Sequence, residues 1–207
     1  MGHEQRTTAR LRPLVKIEAE RKVLRVGGVI QSVAVDDTYT SDVWDALLPA
    51  TRPTNALILG LGGGTVATLM TRRWGALPIT GVERDPLVAA LALREFGVAQ
   101  LSNVRVIVDD AFTFVRRCDE QFDSICVDLY VAGKMAHGVL GAPFLSDIRR
   151  LLTPEGAATF NLWRSAHLHD QIHRIERQLR VRSITEIDDN IIVTCAPLIP
   201  GFTESAL

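Results

Sequence analysis

The sequence predicts an α/β fold: a mostly parallel sheet, doubly wound by helices, preceded by a small antiparallel β unit. Three observations carry this. From Asn55 onward short apolar runs alternate with helical patterns, which requires parallel strands joined by crossover helices. The first of these runs, Ala56-Leu57-Ile58-Leu59, breaks into Gly60-Leu61-Gly62-Gly63-Gly64 just before a helical pattern. Upstream, residues 14–35 are rich in Val and Ile and turn at Gly27-Gly28, a hairpin signal.

In chain order, residues 1–13 are polar and expected to be flexible. Residues 14–53 form the β unit and a helix that Asp42 can cap and that Pro49 and Pro53 end. The main domain is expected over residues 54–207. After the glycine turn, Val66, Leu69 and Met70 follow helical spacing, and Gly75 stops the helix. Residues 78–83 are the second strand. Asp85-Pro86 starts the next helix, with a capping acid followed by proline at the first helical position. Residues 103–108 make the third strand and residues 111–118 a short helix. Residues 122–128 make the fourth strand, followed by a long loop over residues 129–141. A helix from Pro143 to Leu152, a turn at Pro154-Glu155-Gly156 and a fifth strand over residues 157–163 continue the alternation. A polar amphipathic helix over about residues 165–179 leads to a last hairpin, residues 183–187 and 191–195.

Composition narrows the function. A net charge of −1 gives no reason to expect a nucleic-acid or membrane partner. No apolar run approaches the length of a membrane span, and residues 1–12 carry no apolar core of the kind secretion signals use. A cytoplasmic location is therefore expected. Cys118, Cys126 and Cys195 are too widely spaced for a zinc or redox motif, so no metal site is expected. The glycine turn lacks the Gly-Lys-Ser/Thr of a phosphate loop, and no Ser sits in a Gly-x-Ser-x-Gly turn.

Gly60, Gly62, Gly63, Gly64, Glu83, Asp109, Asp110 and Asp128 all fall at predicted strand C-termini. In an open parallel sheet these ends share one rim, where ligands bind. Glycines let a backbone approach a nucleotide-type ligand, and Glu83, followed by Arg84, can take two ribose hydroxyls. Asp110, with Ala111 beside it, would face an adenine, and Asp128 could hold an ammonium or accept a proton. Each acid also has an ordinary role as a turn or capping residue. A nicotinamide dehydrogenase would share the turn and Glu83 but leaves Asp110 unexplained.

Leu57 to Gly64, Gly81-Val82-Glu83-Arg84-Asp85-Pro86, Asp109-Asp110-Ala111-Phe112 and Phe122-Asp123 leading to Asp128 resemble the spermidine synthase group. That group is a branch of the class I S-adenosylmethionine-dependent methyltransferase fold. Gly27-Gly28-Val29-Ile30-Gln31-Ser32 and residues 143–156 extend the likeness over most of the chain. The resemblance implies a seven-stranded sheet and a ligand that is S-adenosylmethionine or its decarboxylated form. It places Glu83 on the ribose, Asp110 on the adenine and the glycine loop on the amino-acid portion. It also borders the active site with Gln31; Gln31 and Tyr130 are expected to bind substrate, with Asp128 and Tyr130 as catalytic candidates. Two departures stand out. Gly63 occupies the position of an acid that holds the propylamine, and Asp128-Leu129-Tyr130-Val131 lacks the second acid of an Asp-x-x-Asp run. The resulting expectation is methyl transfer to a small-molecule acceptor, with aminopropyl transfer second and ligand binding without catalysis third. By the same likeness, the N-terminal strands could pair a homodimer.

Overall fold

The computed structural model describes residues 12–198 apart from 38, 40, 41 and 132; the expected flexibility of residues 1–13 falls almost wholly outside them. Strands β1 (Leu14–Glu18), β2 (Arg21–Val26) and β3 (Val29–Val33) form a three-stranded antiparallel sheet. A 3₁₀ turn, Val43–Leu47, takes the place of the expected helix. Asp42 and Asp45 close a capping box at its start.

The main sheet has seven strands, as the resemblance implied, and their order is β11-β12-β10-β7-β4-β5-β6. They are β4 (Ala56–Leu59), β5 (Ile79–Glu83), β6 (Val104–Val108), β7 (Phe122–Val127), β10 (Leu152–Trp163), β11 (Leu179–Ile187) and β12 (Asn190–Pro197). The pairings β4–β5, β5–β6, β4–β7 and β10–β7 are parallel, and β12 runs antiparallel to both β10 and β11. Helices α1 (Thr65–Trp74), α2 (Pro86–Glu95), α3 (Ala111–Arg117), α4 (Ala142–Leu151) and α5 (Leu168–Glu176) connect the strands.

Strand alternation divides the core between the two faces. Leu57 and Leu59 of β4 pack with Phe114, Leu145, Ile148 and Ile175 of α3, α4 and α5. Ala56 and Ile58 point the other way, into a cluster with Trp44, Leu47, Val66 and Met70. β4 is buried along its whole length because both of its faces are covered, which explains its unbroken apolar run.

Three further expectations change. The loop over residues 129–141 contains a two-stranded hairpin, β8 (Tyr130–Val131) and β9 (Lys134–Met135). Pro154-Glu155-Gly156 is not a turn outside the sheet but an irregularity inside β10, whose register against β7 shifts between Leu152 and Ala157. The helix expected over residues 165–179 is shorter, Leu168–Glu176.

The small sheet docks on the main one through polar bonds. The Thr65 hydroxyl donates to the Val33 carbonyl (2.7 Å) and accepts from the Val33 amide (3.1 Å). The Gly63 amide donates to Ser32 Oγ at 2.7 Å. Leu24, Val88 and Phe96 form one apolar part of the contact, and Val23 and Val33 join the cluster of Ile58, Val66 and Met70. Replacing Thr65 by Val keeps the volume but strands both Val33 groups. Urea unfolding should therefore show a loss of about 1–3 kcal/mol.

Candidate active site

The candidate site lies at the topological switch point. From β4 the chain moves outward through β5 and β6, then returns to place β7 on the other side of β4. The loops after β4 and β7 therefore diverge from adjacent strand ends and leave a crevice. The Asp128 amide still bonds the Leu59 carbonyl (2.9 Å), so the two chains part immediately beyond it. Gly60 is required there. Its φ is +89°, and a Cβ would lie 2.1 Å from the Asp128 carbonyl oxygen.

The crevice opens into a cavity of about 490 Å³. Gln31, Gly60, Gly62, Glu83, Arg84, Asp109, Asp110, Ala111, Asp128 and Tyr130 all line it, so ten of the residues singled out from sequence converge on one space. Gly63 and Gly64 do not. Gly63 turns against the small sheet, where a Cβ would come 2.8 Å from Ser32 Cβ and 3.2 Å from the Phe96 ring. An acid at position 63 has no room without displacing both. Gly64 adopts a left-handed conformation at the start of α1, and a Cβ there would meet Val98 at 2.3 Å.

Glu83 sits at the tip of β5, 9% exposed. Its carboxylate accepts from the Gly62 amide (3.0 Å) and the Asp85 amide (2.9 Å), tying the glycine turn to the strand beside it. Burial raises its pKa, and these amides oppose the rise. Asp109 is otherwise engaged: it pairs with Arg117 and accepts from the Asp110 amide. Asp110 caps α3 with Oδ1, which accepts from the Thr113 amide at 3.0 Å. Arg84 is exposed at the mouth.

Asp128 is half-buried in the cavity wall and, among the described residues, has no cationic partner. Burial lifts its pKa to about 6; the Asn161 side-chain amide, donating to Oδ1 at 3.0 Å, partly offsets this. The Tyr130 hydroxyl donates to the Asn161 carbonyl (3.1 Å), and burial with the nearby Asp128 charge holds its pKa well above the usual phenol value. Tyr130 therefore keeps its proton near neutral pH and serves as a well-fixed wall.

Sequence reasoning missed Asn161 and Ser32. Asn161 did leave a signal, a lone amide inside Ala157–Trp163 that an apolar strand does not need. The apolar wall (Val26, Val88, Phe112, Leu129) was also missed. Away from the cavity, exposed His169 and His173 lie with their Nε2 atoms 2.9 Å apart, and His173 Nδ1 is 2.8 Å from Glu176. The described residues hold no cluster of three or more side chains suited to a metal, and none of their helices is long and apolar enough to cross a membrane.

A seven-stranded sheet with this strand order and a ligand-sized crevice at its switch point has the class I S-adenosylmethionine-dependent methyltransferase fold. Within that class, the family model described as the spermine/spermidine synthase domain matches residues 12–205, and the chain belongs to that family. A polyamine aminopropyltransferase of Vibrio vulnificus is 28% identical over 122 residues, covering 58% of this chain and 41% of the relative. The chain thus spans less than half the length of that relative. A probable spermidine synthase from Corynebacterium glutamicum superposes with a TM-score of 0.73 at 18% identity, covering 89% of this chain and 76% of the other. Human methyltransferase-like protein 13, solved with SAH, superposes with a TM-score of 0.63 at 25% identity, covering 78% and 82%. The expectation of methyl transfer is corrected here. The family match and the aminopropyltransferase relatives favour the reading placed second on sequence, while the methyltransferase shares the fold.

A carboxyl with a raised pKa binds more protons in the folded than in the unfolded chain. Asp128 therefore favours folding most below its ordinary value of 3.8, and that contribution is lost as pH rises to about 6. Asp128→Asn should be more stable than the parent at pH 7.5, by up to about 3 kcal/mol. The difference should shrink towards zero near pH 4, as measured by chemical unfolding across pH.

Proposed function

We propose that this chain binds an adenosyl sulfonium in the cavity beyond the strand ends. It would transfer the aminopropyl group of decarboxylated S-adenosylmethionine to a small amine acceptor. The observation that carries the reading is Asp128, a desolvated carboxylate in the cavity wall that no cation pairs with among the described residues; Arg84, which also lines the cavity, is exposed at its mouth. A positively charged ligand supplies that partner. At about 4 Å and an effective dielectric near 20, the attraction is about 4 kcal/mol. Family membership supports the same choice of chemistry.

The residues fit such a ligand. A volume of about 490 Å³ is within the range of small-molecule sites. Glu83 is oriented by two amides and keeps lone pairs for ribose hydroxyls. Asp110 spends Oδ1 on its cap and has Oδ2 to accept from an exocyclic amine. The apolar wall of Val26, Val88 and Phe112 suits a heterocycle.

A sulfonium arrives already activated, so the chain's main contribution is to hold the two reactants in line. The acceptor nitrogen forms a bond to the propyl carbon next to sulfur. The C–S bond breaks with its electron pair moving to sulfur, which leaves as a neutral thioether. An acceptor that arrives as its ammonium has no lone pair, so it must give up one proton before this attack. With a pKa of about 6, Asp128 is ionised above neutrality, can orient the incoming ammonium, and accepts that proton better than an ordinary aspartate. Tyr130 and Gln31 would border the acceptor.

Mass spectrometry of mixtures containing decarboxylated S-adenosylmethionine and a panel of mono- and diamines tests this. The expected result is an aminopropylated amine and one equivalent of 5′-methylthioadenosine. Binding without thioether release would instead make the chain a binding protein. By calorimetry, Glu83→Gln should weaken adenosyl-ligand affinity about ten- to a hundredfold, through loss of charge-assisted bonds to ribose. Unchanged affinity removes Glu83 from the site.

A further inference from the structure

We infer that Asn161, on the strand behind the cavity, is a positioning residue that fixes Asp128 by its side chain and Tyr130 by its backbone. Asn161 is 8% exposed and does not line the cavity, so it acts through its neighbours. Its side-chain amide donates to Asp128 Oδ1 at 3.0 Å, and its carbonyl accepts from the Tyr130 hydroxyl at 3.1 Å. One residue of β10 therefore holds both groups that close the cavity beyond β7.

The amide is not there for its own stability. Its Oδ1 is buried and makes no hydrogen bond, a cost that an apolar side chain between Phe160 and Leu162 would avoid. Nor is it required by the sheet: the backbone of Asn161 pairs with Ile192 whatever its side chain. What the side chain supplies is a donor aimed at a carboxylate. A donor at that point favours the ionised carboxylate and removes one rotational freedom from Asp128, leaving Oδ2 to face the ligand. A hydrophobic neighbour would instead let Asp128 stay protonated to higher pH and swing away from the cavity.

The titratable and charged groups around Asp128 are Cys126 on its own strand and Tyr130 on β8, with Glu83, Arg84, Asp85, Asp109 and Asp110 across the cavity. None of these is changed by a substitution at position 161, so an altered titration of Asp128 reports on the Asn161 contact.

The importance of this residue for turnover rests on the aminopropyl-transfer reading, but its test does not. Carbon-13 NMR of Asp-labelled protein, with the Asp128 signal assigned by its loss in Asp128→Asn, follows the carboxyl through pH in the free protein. Asn161→Leu, close in volume and unable to donate, should move the Asp128 midpoint to higher pH by about one unit or more. Asn161→Thr restores a donor on a β-branched side chain suited to a strand and should recover part of the shift. If the Leu variant does not fold, the Thr variant alone should still titrate above the parent, by less than about one pH unit. An Asp128 midpoint within about 0.2 pH units of the parent in a folded variant overturns the inference. Should the titration move while no amine is aminopropylated, the positioning role stands and the proposed activity fails.

Discussion

The structure depends on how closely two parallel strands approach before they part. β4 and β7 remain hydrogen-bonded up to Leu59 and Asp128, and the next residue on the β4 side must be a glycine because the Asp128 carbonyl fills the place of a Cβ. That contact fixes the mouth of the crevice. It sets Asp128 against the glycine turn, and the turn in turn against Glu83, whose carboxylate bonds the Gly62 amide. Buried backbone donors need partners, so the acid at the tip of β5 serves the turn before it serves any ligand.

The small N-terminal sheet belongs to the same arrangement. Ser32 and Thr65 join it to the glycine turn and the start of α1, which brings Gln31 into the cavity wall. Gly63 is packed against that joint, so an acid cannot enter the turn at this position without moving the sheet. The departure from the family pattern is thus part of how this chain is built. It leaves Asp128 as the carboxylate best placed to meet a positive charge.

Much of this could be read from the sequence, because local signals decide it. The apolar run of β4, the glycines after it and the Asp85-Pro86 helix start are short-range patterns with few alternative meanings, whereas the strand-end acids gain theirs only from sharing one rim. What could not be read depends on contacts between distant residues. The Asn161–Asp128 bond joins residues 33 apart, and the Ser32–Gly63 bond joins residues 31 apart. The β1–β2 turn uses left-handed Ala19 and Glu20, which carry no glycine signal. Pro154-Glu155-Gly156 reads as a turn by composition, and only the pairing of Leu152 with Phe122 makes it an irregularity within β10. The chemistry differs from the sequence expectation for another reason: the absence of two acids from the family pattern argues for methyl transfer, whereas the family match and the aminopropyltransferase relatives favour aminopropyl transfer.

The central claim is that an adenosine occupies the crevice between the ends of β4, β5 and β7. A crystal structure with 5′-methylthioadenosine tests it most directly. The account predicts ribose hydroxyls on the Glu83 carboxylate, the base beside Asp110 and Ala111, and sulfur directed towards Asp128. A nucleoside bound elsewhere, or a cavity closed by side chains with Glu83 turned away, would contradict it.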